Sequence, residues 1–307
     1  MHQNFQNKIR MTPPFLLPND QIRIVSPSGA IDPIYIDGAI KALTSWGLQV
    51  TEGEFSRAEY GRFAGTTKQR IADLQAALDD TEVKAILCSR GGYGVAQIID
   101  KLDFTKFIAN PKWLIGFSDI TILHNTISNL GIASIHGIMA KHLTELPATS
   151  ELVQGLKDIL FGTLPHYKIP AHELNRIGNA QGKLIGGNLS VLAGMIGTPF
   201  DLPYDGNILF IEEIAEKPYH IDRMMQNLRL SGALAKISGL VVGQFSYCDE
   251  DPLMKMSIAE IIAEAVKEYH FPVCCNFPAG HVDYNLPIVM GEKVKLAIYK
   301  SDTSLTY

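Results

Sequence analysis

Short apolar runs alternate with amphipathic helical patterns through the first half of the chain, and this alternation limits the possible folds more than any other feature. Residues 21–26 read as a strand that ends in a turn at Pro27, Ser28 and Gly29, and residues 33–46 carry the apolar spacing of a helix. A second strand at 48–51 is followed by a second helix at 66–78, with Ile71, Leu74 and Leu78 at helical intervals. The third strand, 83–88, is apolar except for Lys84 and runs into Ser89, Arg90, Gly91, Gly92, Tyr93 and Gly94. A fourth strand at 113–117 stops at Ser118, a fifth follows at 133–136, and a helix at 150–160 closes the series. Strands that alternate with helices return to the same end of a sheet and pair in parallel, with the helices covering both faces. The pattern predicts an α/β fold whose N-terminal part, 21–162, is a Rossmann-like parallel sheet.

From 163 to 180 the period is lost and Pro165, Pro170 and Gly178 intervene, as in a linker between domains. Beyond it the elements are less regular: the segment 183–188, a short apolar helix, an apolar strand at 207–213 ending in Glu212 and Glu213, an amphipathic stretch at 219–230, a strand at 240–243, a helix at 257–269 and short closing strands. This predicts a smaller α+β domain over 181–307. With 307 residues there is chain enough for two cores, and 46% hydrophobic against 19% charged residues excludes a disordered protein. The net charge of -5, without a run of Lys or Arg, argues against nucleic acid and anionic membrane as partners. Cys88, Cys248, Cys274 and Cys275 form no CxxC pair and read as buried free thiols. Residues 1–20 read as an N-terminal extension, polar and then proline-containing. They lack the apolar core of a signal peptide, and no later run is long enough to span a bilayer, so a cytoplasmic location is expected.

Ser118 stands where an apolar strand meets a helix pattern. A serine at such a turn presents its hydroxyl clear of the sheet, and the amide of Asp119 opens a helix whose positive end suits an oxyanion. Gly116 supplies the residue without a side chain that a tight bend needs. The usual elbow has a second glycine two positions after the serine, where this chain has Ile120. The alternative at this point is that Ser118 or Asp119 merely caps the helix. As a nucleophile, Ser118 needs a base and a group that orients the base. Of the nine histidines, His2 lies in the tail and His124 falls inside the helix after Ser118, in a packing position. His281 follows Gly280 in a turn that presents its ring. Glu212 ends an apolar strand, where a carboxylate needs a partner, and a histidine would serve.

Six segments together resemble the LD-carboxypeptidase family of serine peptidases, the muramoyltetrapeptide carboxypeptidases. They are Arg62 with Phe63, Ala64, Gly65 and Thr66; Arg90 to Gly94; Gly116 with Phe117, Ser118 and Asp119; Gly186 with Gly187, Asn188 and Leu189; Leu209 to Glu213 with Tyr219, Asp222, Arg223 and Met224; and Gly280 with His281. The resemblance covers roughly residues 22–299. It implies a catalytic Ser118, Glu212 and His281, and an oxyanion hole from the amides of Gly92 and Asp119. The family usually has Asp where this chain has Glu213; Glu212 matches the family's glutamate, and neighbouring strand residues point to opposite faces. The resemblance also implies a homodimer and a murein peptide substrate, cleaved at the L,D-bond before a terminal D-amino acid such as D-alanine, with no metal or cofactor. Arg90 either clamps the substrate's free carboxylate or braces its own loop. The Arg90 to Gly94 turn lacks the spacings of phosphate-binding loops. Two other readings stay open: a microcin-immunity peptidase acting on a peptidyl-nucleotide, and a non-catalytic ligand-binding module.

Overall fold

The computed structural model describes residues 12–248 and 251–307; residues 1–11 of the expected extension, His2 among them, lie outside the described residues. In chain order the strands are β1 (Gln21–Val25), β2 (Gln49–Glu52), β3 (Val83–Cys88), β4 (Trp113–Gly116), β5 (Ser134–His136), β6 (His166–Pro170), β7 (Gly178–Asn188), β8 (Ile208–Ile214), β9 (Gly239–Ser246), β10 (Val273–Cys274), β11 (Ile288–Met290), β12 (Lys293–Ile298) and β13 (Asp302–Thr306). The helices are α1 (Pro33–Ser45), α2 (Thr67–Asp79), α3 (Thr105–Ala109), α4 (Thr121–Asn129), α5 (Ala140–Glu145), α6 (Glu151–Leu160), α7 (Leu189–Met195), α8 (Pro218–Leu230) and α9 (Ile258–Ala265).

The first sheet has the order β11-β5-β4-β3-β1-β2, with β1 to β5 parallel. Its strands alternate in the way a two-sided sheet requires. Ile22, Ile24, Leu87, Trp113 and Ile115 pack under Leu43 of α1, Leu143 of α5 and Leu156 of α6. Val25, Ile86, Cys88 and Leu114 pack under Leu74 of α2, Phe107 of α3 and Leu123 of α4. Each such aliphatic side chain, withdrawn from water, contributes about 1.5–3 kcal/mol. The second sheet runs β10-β9-β8-β7-β12-β13-β6. Strands β7 to β10 are parallel, and β12, β13 and β6 are joined to them antiparallel. The fold is therefore α/β with two domains, the first a parallel sheet covered on both faces. Among the described residues no helix is long and apolar enough to cross a membrane.

Three features differ from the sequence pattern. The aperiodic stretch 163–180 carries strand β6, which pairs with β13 at the edge of the second sheet, and the start of β7. Only Ile169 of β6 is buried, so an edge strand leaves no alternation to read. Strand β11, far along the chain, completes the first sheet as its single antiparallel member, pairing Ile288 with His136. The described part of the extension also joins the first core: Leu16 is buried and its amide donates to the Leu160 carbonyl at 2.8 Å, Trp113 Nε1 donates to the Pro14 carbonyl at 3.0 Å, and the Phe15 ring stacks on Trp113. Of the cysteines, Cys88, Cys274 and Cys275 are buried free thiols, whereas Cys248 is half-buried.

Candidate active site

The carboxyl ends of β3 and β4 build one side of the site, as expected for ligand binding in open parallel sheets. Phe117 is extended, and at Ser118 the backbone swings into the left-handed region, φ +69°, before a single turn of 3-10 helix leads into α4. A non-glycine residue in that region is held there against an intrinsic cost of about 1–3 kcal/mol. Gly116 is needed below it, because a Cβ there would lie 3.0 Å from Ile120 and 3.2 Å from Cys88. No side chain caps this helix start. The capping alternative for Ser118 and Asp119 thus finds no bond to support it.

Asp119 is buried and turned away from the helix. Its Oδ2 accepts from Ser28 Oγ at 2.6 Å and from the Val95 amide at 2.9 Å, and burial raises its pKa against the opposing effect of these bonds. The carboxylate thereby ties the turn after β1 and the glycine-rich turn after β3 to the serine. Arg70 of α2, also buried, reinforces this by donating Nη1 to the carbonyls of Pro27 and Gly94 and Nη2 to Gln97 Oε1. The Gly91 Cα lies so close that an added Cβ would sit 2.6 Å from Ser118 Cβ and 2.8 Å from Ser118 Oγ. Gly92 follows at φ +118°. Among the described residues no acceptor takes the amide of Gly92 or of Asp119.

The second sheet brings the other half. Along β8, Leu209 and Ile211 face the helices of the second core while Phe210 faces the opposite way, and the two carboxylates continue this alternation. Glu212, fully buried, places Oε2 2.7 Å from His281 Nδ1. Glu213 points the other way, accepting from Asn188 Nδ2 at 2.8 Å, the Ser190 amide at 2.7 Å and the Ile214 amide at 2.8 Å. Burial raises the Glu213 pKa, with those three bonds opposing. The pairing register between β8 and β9 shifts between Ile211 and Glu213, so the strand is irregular where Glu212 departs from it. Gly280, at φ +135°, has to be glycine: a Cβ would meet Glu212 Cβ at 3.0 Å. The Phe117 ring packs edge-on against His281 at 4.9 Å between centroids. Across the sheets, the Asn188 amide donates to Thr121 Oγ1 at 3.0 Å, and Gly187 leaves the room that this contact needs.

Ser118 and His281 line one cleft of about 350 Å³, together with Arg90, Gly91, Gly92 and His142. Arg90 donates Nη1 to the Ala30 carbonyl at 2.8 Å, so it braces the loop after β1, and it also borders the cleft. His124 is a buried structural residue: Nε2 meets the Gly116 carbonyl and Nδ1 meets Ser134 Oγ, each at 2.8 Å, and burial lowers its pKa to about 4. Since the carbonyl only accepts, Nε2 carries the proton. Sequence reasoning overlooked Ser28, Arg70 and the Asp119 carboxylate, whose partners are 24 to 91 residues away along the chain. The one available signal was their position in the turns after β1 and β4 and in the helix that precedes β3.

Residues 22–137 match the LD-carboxypeptidase N-terminal domain, and residues 181–296 match the LD-carboxypeptidase C-terminal domain. The chain belongs to the LD-carboxypeptidase family of peptidases. It is 34% identical to a probable murein peptide carboxypeptidase of Bacillus subtilis (strain 168), over 92% of this chain and 91% of the relative. Among solved structures it is similar to the muramoyltetrapeptide carboxypeptidase from Oxalobacter formigenes, with a TM-score of 0.85, 28% identity, and coverage of 93% and 97% of the two chains. The Microcin C7 self immunity protein MccF shares the fold at a TM-score of 0.84 and 21% identity, covering 95% of this chain and 97% of its own.

Proposed function

We propose that the chain is a serine carboxypeptidase that hydrolyses the L,D-peptide bond before a terminal D-amino acid, D-alanine in the first instance, in murein tetrapeptides recycled in the cytoplasm. The observation that carries this reading is the Glu212–His281 pair at 2.7 Å bordering the same cleft as a serine with left-handed backbone. In the proposed cycle, Ser118 Oγ attacks the scissile carbonyl and passes its proton to His281. Glu212 accepts from Nδ1–H, which keeps Nε2 free to take that proton and stabilises the imidazolium. The amides of Gly92 and Asp119 receive the oxyanion. The C–N bond then breaks as His281 returns the proton to the leaving amine. A water, deprotonated by His281, hydrolyses the Ser118 ester and regenerates the hydroxyl. Arg90, which borders the cleft, pairs in this reading with the carboxylate of the leaving residue.

The relative and the solved neighbour named for murein peptides support this substrate, whereas the MccF likeness is one of fold. The test is mass spectrometry of murein tetrapeptide incubated with the protein. Conversion to tripeptide with release of D-alanine is expected, and an unchanged tetrapeptide alongside a cleaved peptidyl-nucleotide would refute the reading. A Ser118→Ala variant that still turns over would exclude the serine mechanism.

A further inference from the structure

Glu212, Asn285 and His136 are fully buried, and each holds a polar atom that meets no hydrogen-bond partner among the described residues: Glu212 Oε1, Asn285 Nδ2 and both ring nitrogens of His136. Buried polar groups are paired as a rule, and a carboxylate oxygen is among the costliest to leave alone, since no solvent answers its charge. Glu212 spends Oε2 on His281 Nδ1, so Oε1 lacks a donor. Asn285 is tethered beside this pair. Its Oδ1 accepts at 2.9 Å from the amide of Gly280, the residue just before His281, which leaves the NH2 group as the free end of the side chain. Gly280 in turn presses on the carboxylate: a Cβ there would stand 3.1 Å from Glu212 Oε2. His136 is bounded instead by rings. Phe117 packs on both His136 and His281, at 5.6 and 4.9 Å between centroids, and Phe210, which shares its face of β8 with Glu212, lies 5.2 Å from His136. Strand β11 starts three residues after Asn285 and pairs Ile288 with His136, so the same connection brings both side chains to the carboxylate.

We propose that Asn285 is a positioning residue whose NH2 group serves Glu212 Oε1 across one buried water and so holds the carboxylate aimed at His281 Nδ1. The water accepts from Asn285 Nδ2, donates to Glu212 Oε1 and gives its second hydrogen to the unprotonated nitrogen of His136, the three bonds that a buried water typically makes. A carboxylate held at both oxygens does not swing away as charge develops on the imidazole, whereas one held only by the imidazole has nothing else to fix its plane. Asn285 thereby links the turn that presents His281 to the group that orients the ring. The inference rests on the serine-peptidase reading above.

Kinetics of D-alanine release from murein tetrapeptide test it, with kcat, KM and the acid limb of kcat/KM as readouts. Asn285→Asp keeps an acceptor for the Gly280 amide and loses the donor, and Asn285→Leu loses both. Each should lower kcat about tenfold or more, the scale of one hydrogen bond to a charged group, with KM within about twofold of wild type. The acid limb should move to higher pH by about one unit in both, because a carboxylate deprived of its donor releases the proton of the Glu212–His281 pair less readily. His142, on the same Phe117 ring, and Asp283, two residues after His281, are unchanged in every variant. His136→Phe keeps the ring packing and should lower kcat less than either substitution of Asn285. A residue that only braces the loop predicts another pattern: wild-type kcat and acid limb in Asn285→Asp, with lowered thermal stability confined to Asn285→Leu. That pattern would overturn the inference, as would a loss in His136→Phe larger than in both Asn285 variants, while the peptidase reading stands. If Asn285→Leu does not fold, Asn285→Asp decides by itself. If wild type releases no D-alanine, both readings fail.

Discussion

Replacing Glu212 by glutamine exchanges one oxygen for an NH2 group at a fully buried site whose bond to His281 spans 2.7 Å. Both orientations of the new amide are harmful. With its oxygen toward Nδ1, the imidazolium formed on proton transfer loses the negative charge that balances it, in surroundings that screen poorly. With its NH2 toward Nδ1, the ring is driven to the tautomer that carries its proton on Nε2, which cannot accept from Ser118. The same exchange in the best-studied serine triad costs about 10⁴ in kcat, or about 5–6 kcal/mol of barrier. A loss of that order in kcat is expected here, with little change in Tm, because the substitution conserves volume and removes a buried charge. Glu213→Gln should do the reverse. Its carboxylate satisfies three donors, and a single carbonyl oxygen cannot hold Asn188 Nδ2, the Ser190 amide and the Ile214 amide together. One unmet buried donor costs about 1–3 kcal/mol of stability, while kcat of the folded protein should stay within about tenfold of wild type. The measurements are kcat for D-alanine release and thermal unfolding of both variants. A kcat loss below tenfold in Glu212→Gln, or a larger loss in Glu213→Gln, would refute the assignment.

Ser118→Gly and Ser118→Ala should both abolish turnover, but the glycine variant should be more stable than the alanine variant by about 1 kcal/mol in urea unfolding, since only glycine relieves the strain at φ +69°; equal stability would mean that the serine is not strained. Gly91→Ala should lower kcat by about 10²-fold or more in a folded protein, because the new methyl group would lie 2.6–2.8 Å from Ser118 and displace it; wild-type kcat would show that the turn yields freely. His124 has a pKa lowered by burial from 6.5 to about 4, so between those values the unfolded chain binds a proton that the folded chain refuses. Its contribution to stability is complete above 6.5 and falls on acidification, by about 2 kcal/mol at pH 5. His124→Gln should shrink the acid loss of stability by that amount, and identical urea midpoints against pH in the two proteins would contradict the burial argument.

Much of the first domain was readable from local pattern. The side chains of β1, β3 and β4 go alternately to the two cores of that domain, whereas β2, the edge strand, buries none, and the breaks at Gly29, Gly91 and Gly116 mark the turns that need them. The alternation of Phe210, Ile211, Glu212 and Glu213 likewise follows from strand geometry alone, once the segment is taken as a strand. Local pattern fails wherever a residue's role depends on what comes from far along the chain. Strand β6 buries a single side chain and exists because β13 offers its edge, and β11 enters the first sheet only because the second domain folds back upon it. In sequence Asp119 offers its amide to an oxyanion or, as the alternative, caps the helix, and neither reading gives its carboxylate a distant partner. Folding turns its carboxylate to Ser28 and Val95, since the buried donors of two distant turns need an acceptor more than a helix start does. The sequence by itself determined the layers and the candidate side chains; only the packing of the two sheets decided which of them face one another, because hydrogen bonds and charge pairs between distant segments leave no periodic trace in the chain.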